Sequence, residues 1–317
     1  MEKRSVLLYL IISFAVFAAL ATVAAVFDYD LSGFLADLKE GEYYSSNGFS
    51  RFIEIYGETP LYLFLCYAFA VIYWNAFYFG KPAVRYIVCA VCVIAIAVCC
   101  FTIPARIRKN ALALGASAIN GKALVIAVEV ITGMIVGIAV TVGVMFTGKE
   151  NVRAQLSFAV AVLFVAFASQ VFSQGLKLIN KRVRYRALNA YGGEFTPWYK
   201  FNGYPESFKA LVLSAGTEDA VKSFPSGHTA SAGIVYTLIA LPYVFQKFAA
   251  LKWKVFFACF SVFITGIVAY ARIRMGAHYF SDVLFGGSVS FFFSLIAIYF
   301  IYERKTVKSL AAYCKIT

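Results

Sequence analysis

This sequence predicts an all-α, polytopic transmembrane helix bundle of about eight spans, and three observations carry that reading. The chain of 317 residues is 62% hydrophobic and only 14% charged, against about 25% charge in an ordinary soluble domain. Its apolar residues are gathered into long runs rather than scattered. Those runs are continuous rather than alternating, which suits helices and not barrel strands, and lipid demands a backbone whose hydrogen bonds close internally. The same composition excludes a disordered chain, a disulfide scaffold and a typical soluble globule.

The first run, residues 5–27, carries no charge. At about 1.5 Å per residue it reaches about 34 Å, enough for a hydrocarbon core of about 30 Å. Lys3 and Arg4 precede it as they would precede a signal peptide. Its apolar stretch is longer than the core of such leaders, so an uncleaved anchor is expected. Further runs lie near 60–79, 86–104, 123–147, 154–175, 227–245, 255–271 and 283–302. No Gly/Ser linker or fixed-period repeat interrupts them. The organisation expected is a set of N-terminal spans over 1–149 and a C-terminal core over 150–317.

Inside the spans, Glu129 is expected to be protonated or paired, since a charge at the bilayer centre costs roughly 2.5–3.5 kcal/mol. Gly133 and Gly137 form G-x-x-x-G, expected to pack closely against a neighbouring span. Six cysteines (Cys66, Cys89, Cys92, Cys99, Cys100 and Cys259) sit in apolar runs and Cys314 in the tail. Cys89 and Cys92 have C-x-x-C spacing but are read as small packing residues.

Charge is unevenly placed around a net +13. Residues 28–58 hold seven acids against two bases, Lys39 and Arg51, and form an acidic loop. From Lys177 to Ser226 there are eight Lys/Arg against four acids. Such a run reads either as a patch for anionic headgroups or as a site for a phosphate group. Nothing resembles a nucleic-acid module.

Spacing separates those readings, because the chain has only two histidines. His228 lies in Phe224-Pro225-Ser226-Gly227-His228-Thr229 at the start of the sixth run, and His278 lies between the seventh and eighth. Asp282 follows His278 by four residues and shares its face if that turn is helical. A carboxylate on one imidazole nitrogen fixes the tautomer and leaves the other lone pair free to attack. Pro225-Ser226-Gly227 can open a helix whose first amides attract an anion, with Gly227 permitting close approach. Arg272 and the basic residues from Lys177 onward supply positive charge for the other oxygens.

These segments resemble the type 2 phosphatidic acid phosphatase family, whose superfamily includes glucose-6-phosphatases and vanadium haloperoxidases. Its pattern is K-x6-R-P, then P-S-G-H, then S-R-x5-H-x3-D. Here Lys177 and Arg184 give the first part, Pro225 to His228 the second, and Arg272, His278 and Asp282 the third. Tyr185 replaces the proline, which leaves open whether Arg184, Arg182 or Arg186 faces phosphate. Ala271 replaces the serine. The resemblance covers roughly residues 150–302.

The resemblance implies a six-helix-type phosphatase core toward the C-terminal half, with no metal and no cofactor. His278 looks like the nucleophile that forms a phosphohistidine, and Asp282 its orienting partner. His228 would protonate the departing lipid oxygen and then activate water. Lys177, Arg184, Arg272, Ser226 and the Gly227 amide would hold the phosphoryl oxygens. The expected substrate is a lipid phosphomonoester or diphosphate in the bilayer. Phosphotransfer to a non-water acceptor and a non-catalytic anionic-lipid binder or transporter are the alternatives.

With the N-terminus inside, five spans place the first motif outside, and the other two follow on that side. The acidic loop and the basic tail (Arg304, Lys305, Lys308 and Lys315) fit this orientation, so the site is expected on the outer or lumenal face. Residues 178–224 include Tyr191, Phe195, Trp198, Tyr199, Phe201, Tyr204 and Phe208, an aromatic set suited to the headgroup zone and to a lid.

Overall fold

The computed structural model describes the backbone of residues 3–114, 122–201 and 206–313, and the side chains of 10–114, 124–201, 207 and 209–301. Tyr204, Cys314 and Lys315 lie outside the described residues, as do the side chains of Lys3, Arg4, Phe208, Arg304, Lys305 and Lys308. Among the described residues the chain is helical, with no strand.

The helices are α1 (Lys3–Leu35), α2 (Gly48–Tyr56), α3 (Thr59–Phe79), α4 (Pro82–Ala113), α5 (Lys122–Phe146), α6 (Lys149–Asn180), α7 (Tyr185–Tyr191), α8 (Glu206–Ala215), α9 (Gly227–Ala232), α10 (Leu241–Val244), α11 (Leu251–Arg274) and α12 (Phe280–Tyr313). Seven described stretches are long and apolar enough to cross a bilayer, rather than eight. The exception is the run 227–245. Only α9 and α10 are α-helical there, and Gly233–Ala240 between them is 3₁₀. Side chains take up carbonyls along it: Thr237 Oγ1 donates to Ile234 O at 2.7 Å, and Ser261 Oγ donates to Val235 O at 2.8 Å. Hydropathy records that this run is apolar but not that its helix is tightened and broken.

The chain forms two compact units. One comprises residues 1–58, 168–233 and 262–292, and the other 59–167, 234–261 and 293–317. In the second unit, Gly133 and Gly137 abut α4. A Cβ at Gly133 would lie 2.7 Å from Cys100 O, and one at Gly137 would lie 3.0 Å from Cys100 Sγ. Glu129 is paired with Arg108, Nε to Oε1 at 2.5 Å. The cysteines described there are free thiols, with Cys66 and Cys100 sulfurs 3.4 Å apart. Gly133→Ala is expected to destabilise the protein by about 1–3 kcal/mol through overpacking. Gly143→Ala, with nothing within 4 Å of its Cβ, serves as the neutral control. Thermal melting of both variants in one detergent is the check, and equal midpoints would refute the close α4–α5 contact.

The first unit carries the motif residues. Asn47 caps α2 by accepting from Ser50 N at 3.0 Å. Ile53 of α2 then joins Ala232, Val268 and Ala271 in a buried cluster, holding α2 against α9 and α11. Gly286 of α12 lets Ser226 and Ala230 approach closely, and Ser290 Oγ donates to Ala230 O at 2.7 Å.

Candidate active site

Three chain breaks bring the site together in the first unit: between α6 and α7, at the start of α9, and between α11 and α12. Gly276 permits the last of these, with φ +64 where a side chain would strain the backbone. Its carbonyl accepts from Arg186 N at 2.7 Å, tying the first motif to the third. The second motif is tied to the third by Ser226 N, which donates to Asp282 O at 2.8 Å.

His278 is only 1% exposed, and its Nδ1 lies 3.4 Å from Asp282 Oδ2. Asp282 is held from several sides. It accepts from Arg182 Nη1 at 2.7 Å, from Tyr279 N at 2.9 Å and from Ser223 Oγ. Its place in the first turn of α12 adds the favourable end of the helix dipole. The carboxylate thus faces Nδ1 of the ring at ion-pair range, without a hydrogen bond between them.

Burial, followed by the positive charges of Arg184, Arg272, Lys177 and His228, holds the His278 pKa well below its ordinary 6.5. Every cation expected from the three motifs, and the other histidine, is near enough to act on one imidazole. Lys177, in the last turn of α6, brings its ammonium over the α9 N-terminus, where a Gly227 Cβ would lie 3.1 Å from Nζ. Arg184 is buried and donates through Nε to Asp219 O at 2.6 Å. Arg272 is buried and paired with Glu54.

Ser226 has a prior engagement. Its hydroxyl oxygen accepts from Thr229 Oγ1 at 3.0 Å and Thr229 N at 3.4 Å, capping α9. Gly227 is the first residue of α9.

The neighbours of Arg184 face other tasks. Arg182 is wholly buried and donates to Asp28 Oδ2, Asp282 Oδ1 and Ser281 Oγ, each at 2.7 Å, and to Thr196 O. Arg186 lies over the rings of Tyr43 and Tyr44, 4.8 Å from each centroid. Of the three arginines, Arg184 is the one whose charge lowers the His278 pKa most. Tyr185 opens α7 and packs 5.6 Å from the Tyr29 ring, while Ala271 is buried in the α2–α9–α11 cluster.

Sequence reasoning missed the acids that complete this arrangement. Asp28, at the level of α12, accepts from Ser281 N at 2.8 Å and Ser281 Oγ at 2.5 Å besides Arg182. Glu54 meets Arg272, and Glu58 meets His228. The seven acids in residues 28–58, set against a basic run, were the available signal. Two aromatics of the segment 178–224 pack within the same unit: the Trp198 and Phe285 ring centroids are 4.7 Å apart, and those of Phe195 and Tyr279 5.3 Å.

The family model of the PAP2 superfamily matches residues 158–306, a span that contains Lys177, Arg184, both histidines, Arg272 and Asp282. No curated protein and no solved structure matches the chain.

Proposed function

We propose that this chain, whose residues 158–306 match the family model of the PAP2 superfamily, removes phosphate from a membrane lipid phosphomonoester or diphosphate through a phosphohistidine. The match to that superfamily's model and the seven long apolar helices support a phosphatase-type membrane protein. The finer reading rests on one observation: Lys177, Arg184, Arg272 and His228 all act on a buried His278 that is backed by Asp282.

In this reading His278 Nε2 attacks phosphorus as the bond to the lipid oxygen breaks. The electron pair of that bond goes to the oxygen, which takes a proton from His228. Lys177, Arg184 and Arg272, with the Gly227 amide and the Ser226 hydroxyl proton, stabilise charge on the transferring oxygens. Asp282 offsets the positive charge on the phosphorylated ring. Neutral His228 then takes a proton from water, which attacks phosphorus and frees phosphate and the His278 ring.

A lipid substrate suits a site set at the ends of spans whose outer faces are apolar, such as Val171 of α6 and Phe263 of α11. The reading places the site on the outer or lumenal face. The test is release of inorganic phosphate by purified protein from phosphatidate, phosphatidylglycerophosphate and a polyprenyl diphosphate. Release from at least one, persisting in EDTA and inhibited by vanadate, is expected. No release from any of them, or a strict magnesium requirement, counts against the proposal.

A further inference from the structure

One carboxylate and one backbone carbonyl from the N-terminal segment, outside all three motifs, reach the second histidine. Glu58 Oε1 lies 3.5 Å from His228 Nδ1, and the Glu54 carbonyl lies 3.2 Å from Nε2. The Gly57 backbone runs along the ring edge, where a Cβ would lie 3.5 Å from His228 Cδ2. The two side chains are 14% and 16% exposed, so the pair sits where solvent reaches, unlike the buried His278–Asp282 pair. The α2 cap and the Ile53 cluster fix the chain that delivers them.

An imidazole between a carboxylate and a carbonyl meets an acceptor at each nitrogen. The neutral ring can donate to only one of them, whereas the imidazolium donates to both. Cations surround the other side of the site: Lys177, Arg184 and Arg272 act on His278 alongside His228. They disfavour a second positive ring, and the Glu54 carboxylate is already engaged by Arg272. Glu58 supplies the local negative charge that offsets them.

We propose that Glu58 is a positioning residue for His228, fixing its ring and favouring the protonated form that delivers a proton to the leaving oxygen. This deepens the phosphatase reading and rests on it. As substrate enters, the leaving oxygen takes the place of the Glu54 carbonyl at Nε2, while Glu58 keeps Nδ1. The proton passes from Nε2 to that oxygen as its bond to phosphorus breaks. Glu58 itself touches neither phosphorus nor lipid.

The experiment compares two substrates with the same phosphoryl group but different leaving groups. A lipid phosphomonoester leaves as an alkoxide and needs the proton, whereas p-nitrophenyl phosphate leaves as a stable phenolate. For Glu58→Gln, kcat/KM on the lipid should fall about 100-fold, and on the phenyl ester only a few-fold. Its basic pH limb on the lipid should move to lower pH, and His228→Ala should show the same substrate split. Glu58→Asp, which keeps the charge, should recover part of the lipid rate. It also secures the test if Glu58→Gln melts early. Equal losses on both substrates, an unmoved basic limb, or no recovery by Asp would overturn the role of Glu58. Full release by His278→Ala, or none by the unaltered protein, would instead overturn the phosphatase reading and this role with it.

Discussion

His278→Ala is expected to remove turnover, with kcat on a lipid phosphate falling roughly 10⁴-fold or more and any acid-labile phosphoenzyme lost. The loss follows from the ring's position. Asp282 faces Nδ1 at 3.4 Å, the interior shields the rest, and four positive groups act on it. Those same features hold the ring neutral, with its pKa well below 6.5. In the proposed reaction a neutral ring is the attacking form, so the acid limb that His278 imposes on kcat/KM is expected below 6.5. The sign for stability follows from proton counts. Below about 6.5 the unfolded ring takes up a proton while the folded ring does not. Stability is therefore complete above 6.5 and is lost as pH falls toward the folded value. His278→Gln should flatten the fall in thermal midpoint between pH 6.5 and 5. Retained turnover in His278→Ala would remove it as the nucleophile, and an unchanged slope in His278→Gln would show an ordinary, solvated ring.

The long spans were legible because a bilayer imposes a length and a composition that hydropathy reads directly. Residues 227–245 satisfied both tests, yet Gly233 and Pro242 sit in a rod that changes from α to 3₁₀ and back. Which carbonyl accepts from Ser261 lies beyond any window average. The motif residues were legible because their spacing is local: His278 and Asp282 are four apart, and Ser226 to His228 are contiguous. The choice among Arg182, Arg184 and Arg186 was not legible, since it turns on partners far along the chain. Asp28 is 154 residues from Arg182, and Tyr43 is similarly remote from Arg186. Glu54 and Glu58 were visible only as acids in a charged loop, because what gives them a place is the packing of Ile53 against α9 and α11.

Arg182→Ala should produce the largest loss of stability at any single position in the first unit. Its guanidinium lies 4.0 Å from the Tyr279 ring centroid and 5.1 Å from that of Phe195, and its exposure is 0%. It satisfies two carboxylates, Asp28 and Asp282, that are themselves buried. Removing it strands both, and breaking a buried pair from one side costs about 3–5 kcal/mol. Lysine cannot replace the planar fork that reaches Asp28 through Nη2 and Asp282 through Nη1, so Arg182→Lys should recover little. Because Asp282 is also the partner of His278, activity at temperatures well below melting should fall at least about tenfold. Asp28→Asn, which leaves the Arg182–Asp282 contact in place, should lose stability but keep most of that activity. Detergent-phase melting read alongside phosphate release separates the two effects. A wild-type midpoint for Arg182→Ala would mean the acids find other partners, and the buried cluster would not be what ties α1 to the catalytic turn.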